Sequence, residues 1–128
     1  MKKILVEVSA GELLDKLSIL EIKLQKITNK ESLKIIDKEY NSLKNTTKEH
    51  MEISNYSSSF EELKIINNRL WDIENEKRLC EKNSNFSEKF IKLSRDVHFL
   101  NDKRAAIKLK INKDFGSSIE EVKEYTKY

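Results

Sequence analysis

Residues 9–27 read SAGELLDKLSILEIKLQKI, and this stretch decides the fold. Ser9 with Glu12 forms a capping box, in which each side chain serves the other's backbone amide at a helix start. Leu13, Leu17, Leu20, Leu24 and Ile27 then recur at alternating spacings of four and three, a heptad seam that runs to about Thr28. Leu14, Ile19 and Ile22 widen the apolar face beyond the need of a two-stranded coiled coil, so this helix is expected to touch more than one neighbour. Glu12, Asp15, Lys16, Glu21 and Lys23 stand between the apolar positions. Upstream, Ile4, Val6 and Val8 alternate and mark residues 1–8 as a short extended arm. Such an arm either lies across the bundle or pairs with another copy.

Three more helices follow from the same reasoning. The second starts near Asn29 to Glu31 and carries Leu33, Ile36, Tyr40 and Leu43, with Thr47 and Met51 as weaker continuations of the same pattern. Its polar rear half, Asn45 to His50, is expected to project from the core or fray. The serine-rich run Ser54 to Ser59 reads as a loop, after which Ser59 and Glu62 repeat the capping box. The third helix then follows the seam Leu63, Ile66, Leu70, Ile73, Lys77 and Cys80. Asn83 to Asn85 make a break, and Ser87 caps a fourth helix along Phe90, Leu93, Val97, Leu100, Arg104, Ile107 and Ile111. Gly116 supplies its stop. Residues 117–128 are a further helical turn or a tail. The expected architecture is all-α: an antiparallel bundle, or paired hairpins, of about four helices in a single domain spanning 1–128.

Composition agrees. Of 128 residues, 38% are hydrophobic and 37% charged, as narrow apolar seams on long helices require. No proline and only two glycines interrupt helix propagation. A net charge of +3, with 25 basic residues against 22 acidic ones, is too balanced for a nucleic-acid-binding surface. Cys80 is alone, which excludes an internal disulfide and fits a reducing cytosol. The Met1-Lys2-Lys3 start leads into an apolar stretch broken at Glu7, which is no secretory signal. No apolar run approaches a membrane span. A cytoplasmic protein with neither nucleic-acid nor membrane partners is expected, and two-sided helices favour a homo-oligomer.

Two stripes carry the candidate chemistry. Asn67, Trp71, Glu74 and Arg78 share one helix face, and Asn101, Arg104 and Lys108 share another. Arg104 occupies a seam position between Leu100 and Ile107. A buried cation there needs a counter-charge, a ligand or solvent access, because an unpaired one costs several kcal/mol. Two readings compete. In one, Arg78, Arg104 and Lys108 hold a phosphate, Trp71 stacks on a ring, Asn101 reads a polar edge, and Lys16 or Lys23 reaches in from the first helix. In the other, Arg104 meets Glu74, Asp15 or Glu12 in an internal ion-pair network that sets register, and Trp71 is a core aromatic.

The stretch from Ser9 to Lys23 resembles the N-terminal signature of an uncharacterised family of small helical proteins from bacteria and phages. Leu70-Trp71-Asp72-Ile73-Glu74, Arg78, Phe90-Ile91, Asn101 to Lys108, and Glu120-Glu121 through Tyr125 are similar to its later blocks. The family has no established activity. The resemblance implies that Glu12, Asp15, Lys16, Glu21, Lys23, Trp71, Glu74, Arg78, Asn101, Arg104 and Lys108 belong to one constellation. Family members sit among surface-polysaccharide or phage genes, which implies nucleotide-sugar or defence-related ligands.

The leading expectation is therefore a binding protein for a small anionic ligand, a nucleotide or sugar phosphate, held by Lys16, Lys23, Asn67, Trp71, Glu74, Arg78, Asn101, Arg104 and Lys108. Glu12, Asp15 and Glu21 support the cations. No nucleophile elbow, glycine-rich phosphate loop or zinc-ligand spacing is present, so no catalytic residue and no cofactor is assigned. Glu12, Asp15 and Glu21 resemble the magnesium-binding carboxylates of helical pyrophosphatases, but the second helix lacks the matching acidic pair. A magnesium-dependent pyrophosphatase-like or a mutase-like enzyme is the rival reading. A structural or adaptor module is the third.

Overall fold

The computed structural model describes residues 2–128 and contains four helices: α1 (Ala10–Lys26), α2 (Lys30–His50), α3 (Ile53–Lys82) and α4 (Glu88–Asp114). No strand occurs among the described residues, so the protein is all-α. The short connections between helices impose antiparallel neighbours. Helix α1 packs against each of the other three, as its wide apolar face requires.

The core has two parts. Leu13, Leu14 and Leu17 of α1 meet Tyr56, Phe60 and Leu63 of α3, Ile111 of α4, and Met51. Further along, α3 and α4 outrun α1 and pack on each other alone, through Ile73, Cys80 and Leu93 with Phe90, Val97 and Leu100 around them. Cys80 is thus a buried free thiol.

Three local expectations are corrected. Ser54 to Ser59 is not a loop but the opening of α3, and Ser59 is buried inside that helix rather than capping it. Tyr56 and Phe60 explain this: they extend the Leu63 seam backwards, and their edge-to-face contact with ring centres 6.3 Å apart outweighs the weak helix preference of serine. The polar end of α2 stays helical to His50, because Thr47 and the following Met51 both turn into the core. Ser87 precedes α4 as expected, yet its hydroxyl bonds Asn85 Oδ1 at 2.6 Å instead of capping the helix.

The other boundaries follow sequence chemistry. Ser9 Oγ accepts from the Glu12 amide at 3.2 Å, the expected cap of α1, and Asn29 caps α2 through the Ser32 amide. Gly116, at φ 60°, closes α4: its amide donates to Lys113 O and the Ser117 amide donates to Asn112 O, which satisfies carbonyls the helix end leaves open. Residues 117–128 form a tail without regular structure that runs back along α4. Glu121 lies beside Lys108, and Tyr128 packs edge-on against His98 and Phe99. The arm, residues 2–8, has no regular secondary structure and is largely exposed, and Met1 lies outside the described residues.

Candidate functional site

The site grows from the start of α1, where backbone amides need partners from elsewhere in the chain. Ala10 N donates to Ser117 Oγ at 2.9 Å, and Gly11 N to Asn112 Oδ1 at 2.7 Å. These bonds bring α1 onto the end of α4 so closely that a Cβ on Gly11 would sit 2.5 Å from the Lys108 carbonyl oxygen. Only glycine permits this approach.

One turn further along α1, the close approach assembles a buried polar chain. Asp15 and Ser18 are both buried on the face turned to α3, as is Asn67 opposite them. The Asn67 amide donates to Asp15 Oδ1 and to Ser18 Oγ, each at 2.8 Å, while the Ser18 hydroxyl donates to the Asp15 carbonyl at 2.7 Å. Asn67 Oδ1 in turn accepts from Arg104 Nη1 at 3.1 Å. Asn67 thus has both its amide nitrogen and its amide oxygen engaged, as a buried amide requires if it is to stabilise rather than destabilise, whereas the Arg104 guanidinium at the outer end keeps donors to spare.

Lys108 and Arg104 are one turn apart on α4 and fare differently. Lys108 Nζ lies 2.8 Å from Glu12, 3.5 Å from Asp15 and 3.4 Å from Glu121, with its side chain 12% exposed. Burial pulls its pKa down, but the hydrogen bond to Glu12 and the fields of Asp15, Glu12 and Glu121 outweigh that and hold the ammonium above its ordinary value. The Lys108 charge in turn depresses the Glu121 carboxyl. Arg104, half-buried, has no carboxylate within 4.0 Å among the described residues and makes one hydrogen bond, to Asn67.

Arg104 opens onto a groove of about 510 Å³ between α4 and the tail. Val97, His98 and Asn101 line it from the helix, and Lys123, Tyr125 and Tyr128 from the tail. Asp102 is also present, engaged by the Tyr128 hydroxyl. This volume is in the range of pockets that hold small ligands.

The sequence-derived residues divide accordingly. Glu12, Asp15, Asn67, Arg104 and Lys108 form one connected set, and Asn101 joins Arg104 in the groove. Glu74 and Arg78 do not join it: they pair with each other at 3.0 Å on open surface. Trp71 is half-buried and outside the groove lining. Lys16 faces α2 and pairs with Glu39 at 3.7 Å, and Lys23 makes no ion pair among the described residues. Glu21 accepts from Tyr40 and from Lys64, away from Glu12 and Asp15, so the three α1 carboxylates do not form one cluster. Sequence reasoning missed Asn112 and Ser117, which bind α1 from ~100 residues away and leave no local signal. It also missed the tail side chains, whose clue is a pair of tyrosines in a largely polar segment.

A family model described as a family of unknown function, DUF6165, matches residues 3–128. The chain belongs to that family. The match agrees with the resemblance read from Ser9 to Lys23 and, like it, carries no activity. It takes in both the arm and the tail, so the groove walls and the α1–α4 contact all fall within the family's extent. No curated protein and no solved structure gives a significant match.

Proposed function

We propose that this protein binds a small phosphate-bearing ligand, a nucleotide or sugar phosphate, in the groove between α4 and the tail. The single observation that carries the reading is Arg104: a half-buried guanidinium with a neutral amide as its only partner, facing a ligand-sized groove. Five N–H donors in a planar fork suit an oxyanion, and one bond to Asn67 leaves most of them free. Lys123, which also pairs with Glu121 at 3.7 Å, adds a second cation from the tail, Asn101 offers an amide, and the rings of Tyr125 and Tyr128 offer faces for a sugar or base. Lys108 has a different part. Its three carboxylates leave it no charge to offer, and it ties the tail to α1. With no nucleophile or acid–base pair assigned, the role is binding, sequestration or regulation in the cytoplasm rather than turnover.

Calorimetric titration with inorganic phosphate, a nucleoside monophosphate and a hexose phosphate tests this. Binding should be abolished by Arg104→Ala and weakened by Arg104→Lys, which keeps the charge but loses the fork. Absence of heat with all three ligands, or unchanged binding by Arg104→Ala, would falsify it.

One observation favours a structural reading instead. The relay from Arg104 through Asn67 to Asp15 joins three helices and uses both the donor and the acceptor of Asn67, which suits a device that fixes helix register. In that case Arg104→Ala lowers stability and no anion protects the folded protein against heat.

A further inference from the structure

The arm carries an inference independent of the groove. Ile4, Leu5 and Val6 are 83%, 86% and 75% exposed, outside any helix and with no strand beside them among the described residues. A run of large apolar residues on an unpaired edge is a template for another strand. The sequence of the arm says which strand. Lys3-Ile4-Leu5-Val6-Glu7 is self-complementary when laid antiparallel on a second copy of itself about Leu5. Ile4 then faces Val6 of the other copy, Lys3 faces Glu7, and Leu5 faces Leu5. Because side chains alternate, both β-branched pairs fall on one side of the ribbon and both ion pairs on the other. No other register centred within the arm matches both charge and apolar character.

The body of the protein offers a seat for that second strand. A depression of about 490 Å³ runs beside the arm, floored by Leu13 of α1 and Leu43 of α2. A strand paired to the arm lies over this floor and covers its own apolar side there. A two-stranded ribbon alone is marginal in water, whereas packing on helices makes it stable. The Ser118 hydroxyl donates to Glu7, which fixes the base of the arm against the start of the tail.

We infer that the protein forms a two-fold homodimer by antiparallel pairing of the 3–7 arms about Leu5. A two-fold contact is self-complementary by symmetry, and this arm has that property in its sequence.

The test is sedimentation of the full chain with charge-reversal variants. Lys3→Glu and Glu7→Lys each place like charges opposite one another twice per dimer, and each should weaken the dimer about tenfold in Kd. The double variant Lys3→Glu with Glu7→Lys restores complementarity and should return the Kd to within about threefold of wild type. Leu5→Cys, which changes no charge, should cross-link under mild oxidation into a covalent dimer, whereas Val8→Cys, set off the axis, should not. The arm lies outside the helices, so far-UV circular dichroism should be unchanged in all of them. A wild-type chain that stays monomeric at ~100 μM overturns the inference, as does a dimer that ignores the single reversals, is not restored by the double variant, or does not cross-link at Leu5.

Discussion

Gly11→Ala separates two physical forces that predict opposite signs. Gly11 sits in the first turn of α1, where replacing glycine by alanine stabilises a helix by about 0.4–1 kcal/mol when the site has room. It has none. The added Cβ lies 2.5 Å from the Lys108 carbonyl oxygen and 2.9 Å from Asn112 Oδ1. The nearer obstacle is backbone and cannot rotate away, so α1 and α4 must part. Overpacking of this kind costs about 1–3 kcal/mol. Parting also lengthens the 2.7 Å bond from Gly11 N to buried Asn112, and an unsatisfied buried polar group costs about 1–3 kcal/mol more. The net expectation is a loss of roughly 2–4 kcal/mol, read as a Tm lowered by roughly 10 °C and a matching fall in the urea midpoint. Adding Asn112→Ala removes only the second obstacle, so the double variant should remain well below wild type. An unchanged or raised Tm for Gly11→Ala would show that the helices are not in backbone contact there, and would remove the basis for the relay one turn away.

Three other expectations follow from the same geometry. Asn67→Leu strips Asp15 of its amide donor and Arg104 of its acceptor, and should cost about 2–4 kcal/mol in urea unfolding; a cost below about 0.5 kcal/mol would mean the relay is not formed. Arg78→Ala breaks only an exposed i,i+4 pair, so stability should change by less than about 0.5 kcal/mol and phosphate binding should not change. The tail contact between Lys108 and Glu121 should be pH-dependent at both extremes. The depressed Glu121 pKa contributes stability above the unfolded carboxylate value, lost as pH falls through the lowered one; the raised Lys108 pKa contributes below the ordinary lysine value, lost as pH climbs past the raised one. Limited proteolysis should therefore find the tail protected through the neutral range and cut faster only at the acid and alkaline ends.

How much of this was legible depended on the range of the interaction. The α1 seam, its Ser9 cap and the Gly116 stop are written in residues within a few positions of one another, and each appears where the pattern places it. Ser54 to Ser59 misled because composition was weighed over periodicity: Tyr56 and Phe60 already continue the Leu63 seam at helical spacing. The site was half visible. Arg104 stands out because a cation interrupts an apolar seam, Lys108 follows it one turn on, and Glu12 and Asp15 are the first-helix acids that Lys108 meets. The stripe from Asn67 to Arg78 looked continuous on a helical wheel, but only its first residue reaches the site. Asn67 lies where α3 still faces α1, whereas Glu74 and Arg78 lie on open surface in the section where α3 packs on α4 alone. Where one helix ends against another is a property of packing, which no single stretch records.

Asn67 also decides whether Arg104 has charge to offer. Its amide group turns its donor to Asp15 and its acceptor to Arg104, so an acid and a base in one buried relay are joined through a neutral spacer. Lys108, with no such spacer, meets Asp15 directly and is neutralised along with Glu12 and Glu121. Asn67→Asp removes the spacer almost isosterically. The new carboxylate takes up Arg104 as an ion pair but loses the 2.8 Å amide bond to Asp15 and sets two acids side by side, so stability falls. Binding distinguishes this from simple damage. Asn67→Leu is also destabilised but leaves Arg104 without a counter-charge, and its phosphate affinity should stay within about threefold of wild type. Asn67→Asp should lose about tenfold or more, because a ligand must now compete with a carboxylate already in place. Equal affinities for the two folded variants would mean that the unbalanced charge on Arg104 is not what draws an anion to the groove.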